Sequence, residues 1–250
     1  MALIVRLLAT IATTEIRMID IHSHILPGID DGSISFDESL KILRSLSQQG
    51  VTDVICTPHY IAETKQTSTK TNNTKLLAEL KQKAKEASID INIYLGNEIY
   101  IDRDISKLIR LKKISALNDS KYLLIELPMS GKFEQYEDIF LTLQQKGWNV
   151  ILAHPERYHS FQNDYKLVTN LHKSGILFQC NLGSYIGQYG KKAQKLAKKI
   201  AKEKLIFCLG TDIHHERDYN EIAKAKRKLQ KYYRESELNA ILVENPKKII

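Results

Sequence analysis

Short runs of β-branched and other apolar residues alternate along the chain with longer stretches whose apolar positions recur every three or four residues. This alternation predicts a parallel sheet whose strands are joined by crossover helices. The strand-like runs are 18–22 (MIDIH), 53–57 (DVICT), 92–95 (NIYL), 122–127 (YLLIEL), 149–153 (NVILA), 177–181 (LFQCN) and 205–211 (LIFCLGT), seven in all. Helices fall between them. FDESLKILRSLSQQG sets Leu40, Leu43 and Leu46 on one face, with Ser35 and Glu38 spaced as a capping box and Gly50 as a stop. NTKLLAELKQKAKEA repeats Leu76, Leu80, Ala84 and Ala87, and FEQYEDIFLTLQQKG repeats Tyr136, Ile139, Phe140 and Leu143 before Gly147. Later helices are centred on Leu167–Leu171, Leu196–Ile200 and Ile222–Leu229. No repeat or linker interrupts the pattern, so residues 18–250 read as a single α/β domain.

Composition adds limits. A chain of 250 residues with 43% hydrophobic content can bury one sizeable core. The net charge of +8 favours anionic partners, including phosphorylated groups. Many lysines nevertheless sit in runs such as KKAQKLAKKIAKEK, which read first as solvated helix faces, so the charge permits an anionic substrate without identifying one. Cys56, Cys180 and Cys208 each lie in an apolar run and form no C-x-x-C pair, the pattern of buried thiols in a reducing compartment. No apolar run reaches the length of a membrane span. Residues 1–17 have no basic leader and no A-x-A site, and Arg6 interrupts their apolar stretch, so they read as an N-terminal extension before Met18.

The candidate chemistry lies where the strands end. His22 and His24 follow the first strand, His59 the second and Glu98 the third, while Glu126 lies in the fourth. His154 and Arg157 follow the fifth; Asp212, His214 and Arg217 follow the seventh; the sixth, ending CNLGS, has no strong ligand. In a parallel barrel all these ends open on one face, where active sites are built. The His22/His24 and Asp212/His214 pairs are two residues apart, so each pair points one way from an extended chain. Imidazoles and carboxylates are donors that Zn, Mn and Fe accept. Singly, each residue is weak evidence: H-x-H in a loop is as often cap chemistry, and Asp30 and Asp31 beside Gly32 read as turn residues. Glu126 inside LLIELP is stronger, because a buried Glu needs a partner. Together they predict a polynuclear metal site. Arg157 and Arg217 are either helix-start charges or phosphate-binding forks, and the rim of such a site favours the second. His159, His172 and His215 have no comparable placement.

MIDIHSHILPGIDDG, TPHY, GNEIY, LLIELP, ILAHPERY, TDIHH and the closing ENPKKII resemble, in order and spacing, the polymerase and histidinol phosphatase (PHP) superfamily. Within it they are similar to bacterial metal-dependent tyrosine phosphatases encoded with capsule and exopolysaccharide genes. The resemblance implies a distorted, TIM-like (β/α)7 barrel over residues 18–250, holding two or three ions, usually manganese, with iron or zinc as alternatives. It implies His22, His24, Glu98 and Asp212 at one ion, Glu98, Glu126 and His154 at a second, and Asp31, His59 and His214 at a third. Arg157 matches the family's phosphate-binding arginine; Arg217 sits closer to the D-x-H than that pattern expects. The implied activity is hydrolysis of phosphotyrosine by metal-activated hydroxide, with a membrane-associated bacterial tyrosine autokinase as substrate and a cytoplasmic location near the inner face of the membrane. Self-association is left open, and His59, His214 or a metal-bound water stand as donors to the leaving group. No cysteine is followed six residues later by Arg, so the loop of cysteine-dependent phosphatases is absent. Competing readings are a histidinol-phosphatase-like phosphomonoesterase, a metal-dependent nuclease, an amidohydrolase and a non-enzymatic regulatory module. No aromatic–basic strip suited to single strands supports the nuclease, and nucleic acid is not an expected partner. Glu126 stands where an amidohydrolase would place a metal-bridging lysine.

Overall fold

The computed structural model describes residues 17–62, 64, 68–131, 133–216 and 222–250. Expectations for residues 1–16 and for Arg217 lie outside the described residues. In chain order the principal elements are β1 (Met18–Ser23), α1 (Phe36–Gln48), β2 (Val51–Cys56), β3 (His59–Tyr60), α2 (Lys70–Glu86), β4 (Asn92–Leu95), β5 (Glu98–Tyr100), α3 (Ile105–Arg110), β6 (Tyr122–Glu126) and α4 (Glu137–Gln145). They continue as β7 (Asn149–Ala153), α5 (His159–Asn163), α6 (Tyr165–Lys173), β8 (Leu177–Asn181), α7 (Leu182–Ile186), α8 (Gly190–Lys202), β9 (Ile206–Gly210), α9 (Ile222–Leu229) and α10 (Glu235–Asn239).

All strand pairings are parallel, in the orders β1-β2-β4 and β3-β5-β6-β7-β8-β9. These two sheets form one circuit. β2 resumes as β3 after Thr57-Pro58, and β4 resumes as β5 after Gly96-Asn97. Pro58 has no N–H for a ladder. A Cβ on Gly96 would stand 2.6 Å from Leu117 Cδ2 and 3.3 Å from Leu117 Cα, so glycine suits the close packing at that bend. At the other seam, Ser23 bridges to Ile213, His24 N donates to Ile213 O (2.9 Å) and Asp212 N donates to His22 O (2.9 Å). The result is the expected seven-stranded barrel with two strands bent partway along, which is its distortion. Periodicity alone read each bent strand as ending at its first half, because two or three residues are too few to show a period.

Ile19, Ile21, Ile55, Leu124, Ile151, Ala153 and Cys208 pack together inside the barrel, with Leu117 and Ile249. A larger cluster fills the space between strands and helices, including Ile42, Leu43 and Leu46 of α1 and Leu196, Ala197 and Ile200 of α8. Ser35 caps α1 as expected, its hydroxyl accepting from Glu38 N at 3.2 Å. The return bond differs: Glu38 Oε2 accepts from Ile34 N, one residue before the cap. Cys56, Cys180 and Cys208 are buried and free. Among the described residues, no helix is long and apolar enough to cross a membrane.

Candidate metal centre

The parallel circuit brings His22, His24, His59, Glu98, Glu126, His154, Asp212 and His214 to the C-terminal ends of the strands. Register helps, since His59 lies opposite Glu98 and Tyr100 opposite Glu126. His22 Nε2 and His24 Nε2 are 3.2 Å apart, and each lies 3.3 Å from Glu98 Oε2 and 3.4 Å from Asp212 Oδ1. Five of the six separations among these four atoms therefore match the edges of a compact tetrahedron. A point at the centre of one with such edges is about 2 Å from each corner, the length of a metal–imidazole or metal–carboxylate bond. The chain's own donor set therefore fits a cation.

Orphaned atoms support that fit. His59 Nδ1 and Glu98 Oε2 are buried and 3.0 Å apart, yet neither finds a hydrogen-bond partner among the described residues. They are misaligned for a hydrogen bond but can converge on a third atom. His59, Glu98 and Glu126 make a second donor group, and His24, Asp31, His59 and His214 a third. Membership differs here from the expectation, because His59 joins the second group and His24 the third. His154 remains beside the second, its Nε2 2.9 Å from Glu98 Oε1 and 3.7 Å from Glu126 Oε1. Asp31 is the outermost member, with its side chain 57% exposed.

A layer of buried polar groups orients these donors. His22 Nδ1–H donates to Gln179 Oε1 (2.7 Å), His24 Nδ1–H to Asp30 Oδ2 (2.8 Å) and His214 Nδ1–H to the Asp212 carbonyl (2.9 Å). Each acceptor holds the Nδ1 proton and turns Nε2 toward the cluster, as the nitrogen left to bind a cation. Gln179 Nε2 donates to Asn181 Oδ1 (2.8 Å), and Asn181 Nδ2 donates to Asp212 Oδ2 (2.7 Å). Arg157 also binds that oxygen, through NH1 at 2.8 Å. A Cβ on Gly210 would stand 2.7 Å from Gln179 Nε2, and one on Gly32 would stand 2.1 Å from the His24 carbonyl oxygen. Both glycines thus admit close approaches that a side chain would block. His154 (φ 33°) and Asp212 (φ 54°) hold left-handed backbone, a strain typical of functional sites.

Gln179, Asn181 and Asp30 are the site residues that motif reading missed. The signal for the first two was available: amides in the middle of the apolar run LFQCN need buried partners just as Glu126 does. They also explain why the sixth strand has no strong ligand, since it supplies orienting amides instead. His215 lies nearer Glu38, its Nδ1 3.5 Å from Oε1, and the His172 ring packs 5.8 Å from Phe178.

The electrostatics are those of buried carboxylates and imidazoles packed against one another. Burial opposes charge on His22, but the Glu98 and Asp212 carboxylates overcome it and raise its pKa to about 9. His24 is likewise raised well above its ordinary value, against burial, chiefly by Asp30. Burial, then the Glu98 charge, pushes Glu126 up to about 8. Against burial, His22 and the other imidazoles hold Glu98 and Asp212 well below the usual carboxylate range. The buried carboxylates thus strongly favour positive charge among them.

Fold and cluster together define the class: a distorted PHP-type α/β barrel with carboxylates and imidazoles converging at its mouth. The particular family follows from comparison. The family model for capsular polysaccharide synthesis, CpsB/CapC, matches residues 18–250, and the chain belongs to that family. It is 35% identical over 225 residues to the putative tyrosine-protein phosphatase CapC of Staphylococcus aureus, covering 88% of this chain and 87% of the relative. It is 31% identical over 249 residues to the tyrosine-protein phosphatase CpsB of Streptococcus pneumoniae, covering 93% of this chain and 98% of the relative. Among solved structures, it matches one described for YwqE of Bacillus subtilis and CpsB of Streptococcus pneumoniae, metal-dependent tyrosine phosphatases. That match has a TM-score of 0.86 at 29% identity, covering 93% of this chain and 94% of the other.

Proposed function

We propose that this protein is a metal-dependent protein-tyrosine phosphatase that uses manganese and acts on a phosphotyrosine-bearing protein of capsule synthesis. The substrate best suited to that role is a membrane-associated tyrosine kinase, met at the inner face of the membrane. The observation carrying this reading is the convergence of the His22, His24, Glu98 and Asp212 donor atoms beside Arg157, in a chain whose relatives are tyrosine phosphatases.

In this reading His22, His24, Glu98 and Asp212 would hold one ion. Glu98, Glu126 and His154, with His59 Nδ1 beside them, would hold a second. Asp31, His59 and His214, with His24 beside them, would hold a third. Bound divalent ions bring the pKa of water toward neutrality and neutralise phosphoryl oxygens. The chain supplies the rest. Glu98 spans the first two donor groups and fixes their spacing. Gln179, Asp30 and the Asp212 carbonyl keep the imidazoles in the tautomer that presents Nε2. Arg157, tied to Asp212 through NH1 alone, has its remaining N–H groups free among the described residues to bind an anion. Burial pushes the three thiols up, Cys56 to about 12 and Cys180 and Cys208 well above their ordinary value, so none is poised as a nucleophile.

Chelation is the direct test. EDTA should abolish hydrolysis of a phosphotyrosyl peptide, and added manganese should restore it, with thiol alkylation nearly without effect. Activity that survives chelation, or that alkylation destroys, would refute the reading, and faster turnover of histidinol phosphate than of the peptide would move it to a small-molecule phosphatase. A further expectation concerns the orienting layer. Gln179→Leu should raise the manganese concentration for half-maximal activity by about 10- to 100-fold, while activity at saturating metal recovers most of the wild-type rate. An unchanged manganese titration would show that Gln179 does not orient His22.

A further inference from the structure

Tyr189 lies outside every motif of the metal centre. It stands between α7 and α8 in the segment GQYG, flanked by Gly187 (φ 93°) and Gly190 (φ 87°). Left-handed backbone on either side suits glycine, and the two bends carry the ring to Arg157. The guanidinium carbon lies 4.5 Å from the Tyr189 ring centroid. The ring is mostly buried: desolvation, then the Asp212 carboxylate, pushes its hydroxyl above the ordinary range, against Arg157 and the Asn181 amide.

Arg157 is therefore restrained in two independent directions. Asp212 Oδ2 holds one edge of the guanidinium through NH1, and the Tyr189 ring covers one face. The carboxylate alone would leave the plane free to turn about that single hydrogen bond. The ring alone would leave the fork free to slide across its surface. We propose that Tyr189 is a positioning residue for phosphoryl recognition: it sets the plane of Arg157, so that the N–H groups not used by Asp212 form a preset fork beside the metal cluster. This rests on the phosphatase reading for its substrate, but the physical claim concerns anion binding by Arg157. An arginine side chain loses much rotamer freedom when it binds a ligand, and restraint in advance removes that cost from the binding step. Stacking also shields one face from water, which strengthens the guanidinium's attraction for an anion.

The test is a double-mutant cycle read by calorimetry, with inorganic phosphate as the probe and the full-length, metal-loaded protein. Tyr189→Leu should weaken phosphate binding by roughly three- to tenfold, and Tyr189→Phe, which keeps the ring, should restore it. In an Arg157→Ala background, Tyr189→Leu should change phosphate affinity by less than about twofold. Kinetically, Tyr189→Leu should raise KM for a phosphotyrosyl peptide by the same factor as the phosphate dissociation constant, with a smaller change in kcat. Tyr189→Ala serves the same comparison if the leucine variant folds poorly. Wild-type phosphate affinity in the leucine variant would overturn the proposal. So would an equal loss with and without Arg157, or a loss accompanied by reduced metal content. If the wild-type protein binds phosphate but hydrolyses no phosphotyrosyl peptide, the phosphatase reading fails while the cycle still decides the role of Tyr189.

Discussion

Asp212→Asn is expected to lower phosphotyrosine hydrolysis on the order of a thousandfold or more, while far-UV circular dichroism stays close to wild type. The expectation follows from the two tasks of one carboxylate. Oδ1 is a corner of the four-atom donor group, and Oδ2 accepts from Asn181 Nδ2 and Arg157 NH1. Because Oδ2 faces two donors, the amide of an asparagine must keep its oxygen there. Its NH2 then occupies the place of Oδ1, pointing at His22 Nε2 and His24 Nε2. Those nitrogens would accept its hydrogens, occupying the lone pairs that must face the ion. The substitution thus removes a charge and also blocks the site. Asparagine tolerates the left-handed backbone of this position (φ 54°) as aspartate does, so the fold is spared a strain that alanine would add. Elemental analysis should find less bound metal, and His22→Ala should behave alike. Full activity in either variant would sink the assignment of this donor group.

The donor residues just named were legible in the sequence because of where they stand. A His or Asp at the end of a strand-like run declares both its element and its direction, and a parallel sheet collects such ends on one face. His22, His24, Glu98, Glu126, His154 and Asp212 could all be placed in this way. What pattern does not carry is contact between residues far apart in the chain. Gln179 and Asn181 come from β8, and their partners His22 and Asp212 come from β1 and the end of β9. Nothing local to LFQCN says which imidazole or carboxylate its amides will meet. Asp30 looked like a turn residue, and its local bond to Gly32 N is one a turn residue makes. Its bonds to His24 and to His59 N exist only because β1 ends beside the end of β2, where β3 begins. The membership of the second and third donor groups was hidden for a related reason. The break at Thr57-Pro58 sets the depth of His59, and a break two residues long has no periodic signature.

Glu98→Gln should be more damaging to metal binding than any other single carboxylate change, because it disrupts two donor groups at once. Glu98 Oε2 lies 3.3 Å from both His22 Nε2 and His24 Nε2 and 3.0 Å from His59 Nδ1, while Oε1 accepts from His154 Nε2 at 2.9 Å. The side chain is fully buried, so no water can stand in for the missing oxygen without rearranging the cluster. An amide here offers one neutral acceptor where two anionic oxygens face four imidazole nitrogens. The expected result is loss of metal from both groups that share Glu98, together with a fall in activity on the order of a thousandfold or more. Asp31→Asn provides the contrast. Asp31 belongs to the outer group alone and is mostly exposed, so solvent can replace its oxygen, and a loss of about tenfold with the inner metal content preserved is expected. Elemental analysis of the two variants beside the wild type separates the cases. If Glu98→Gln retained the wild-type metal content, or lost no more than Asp31→Asn, Glu98 could not be the carboxylate that joins the two inner groups.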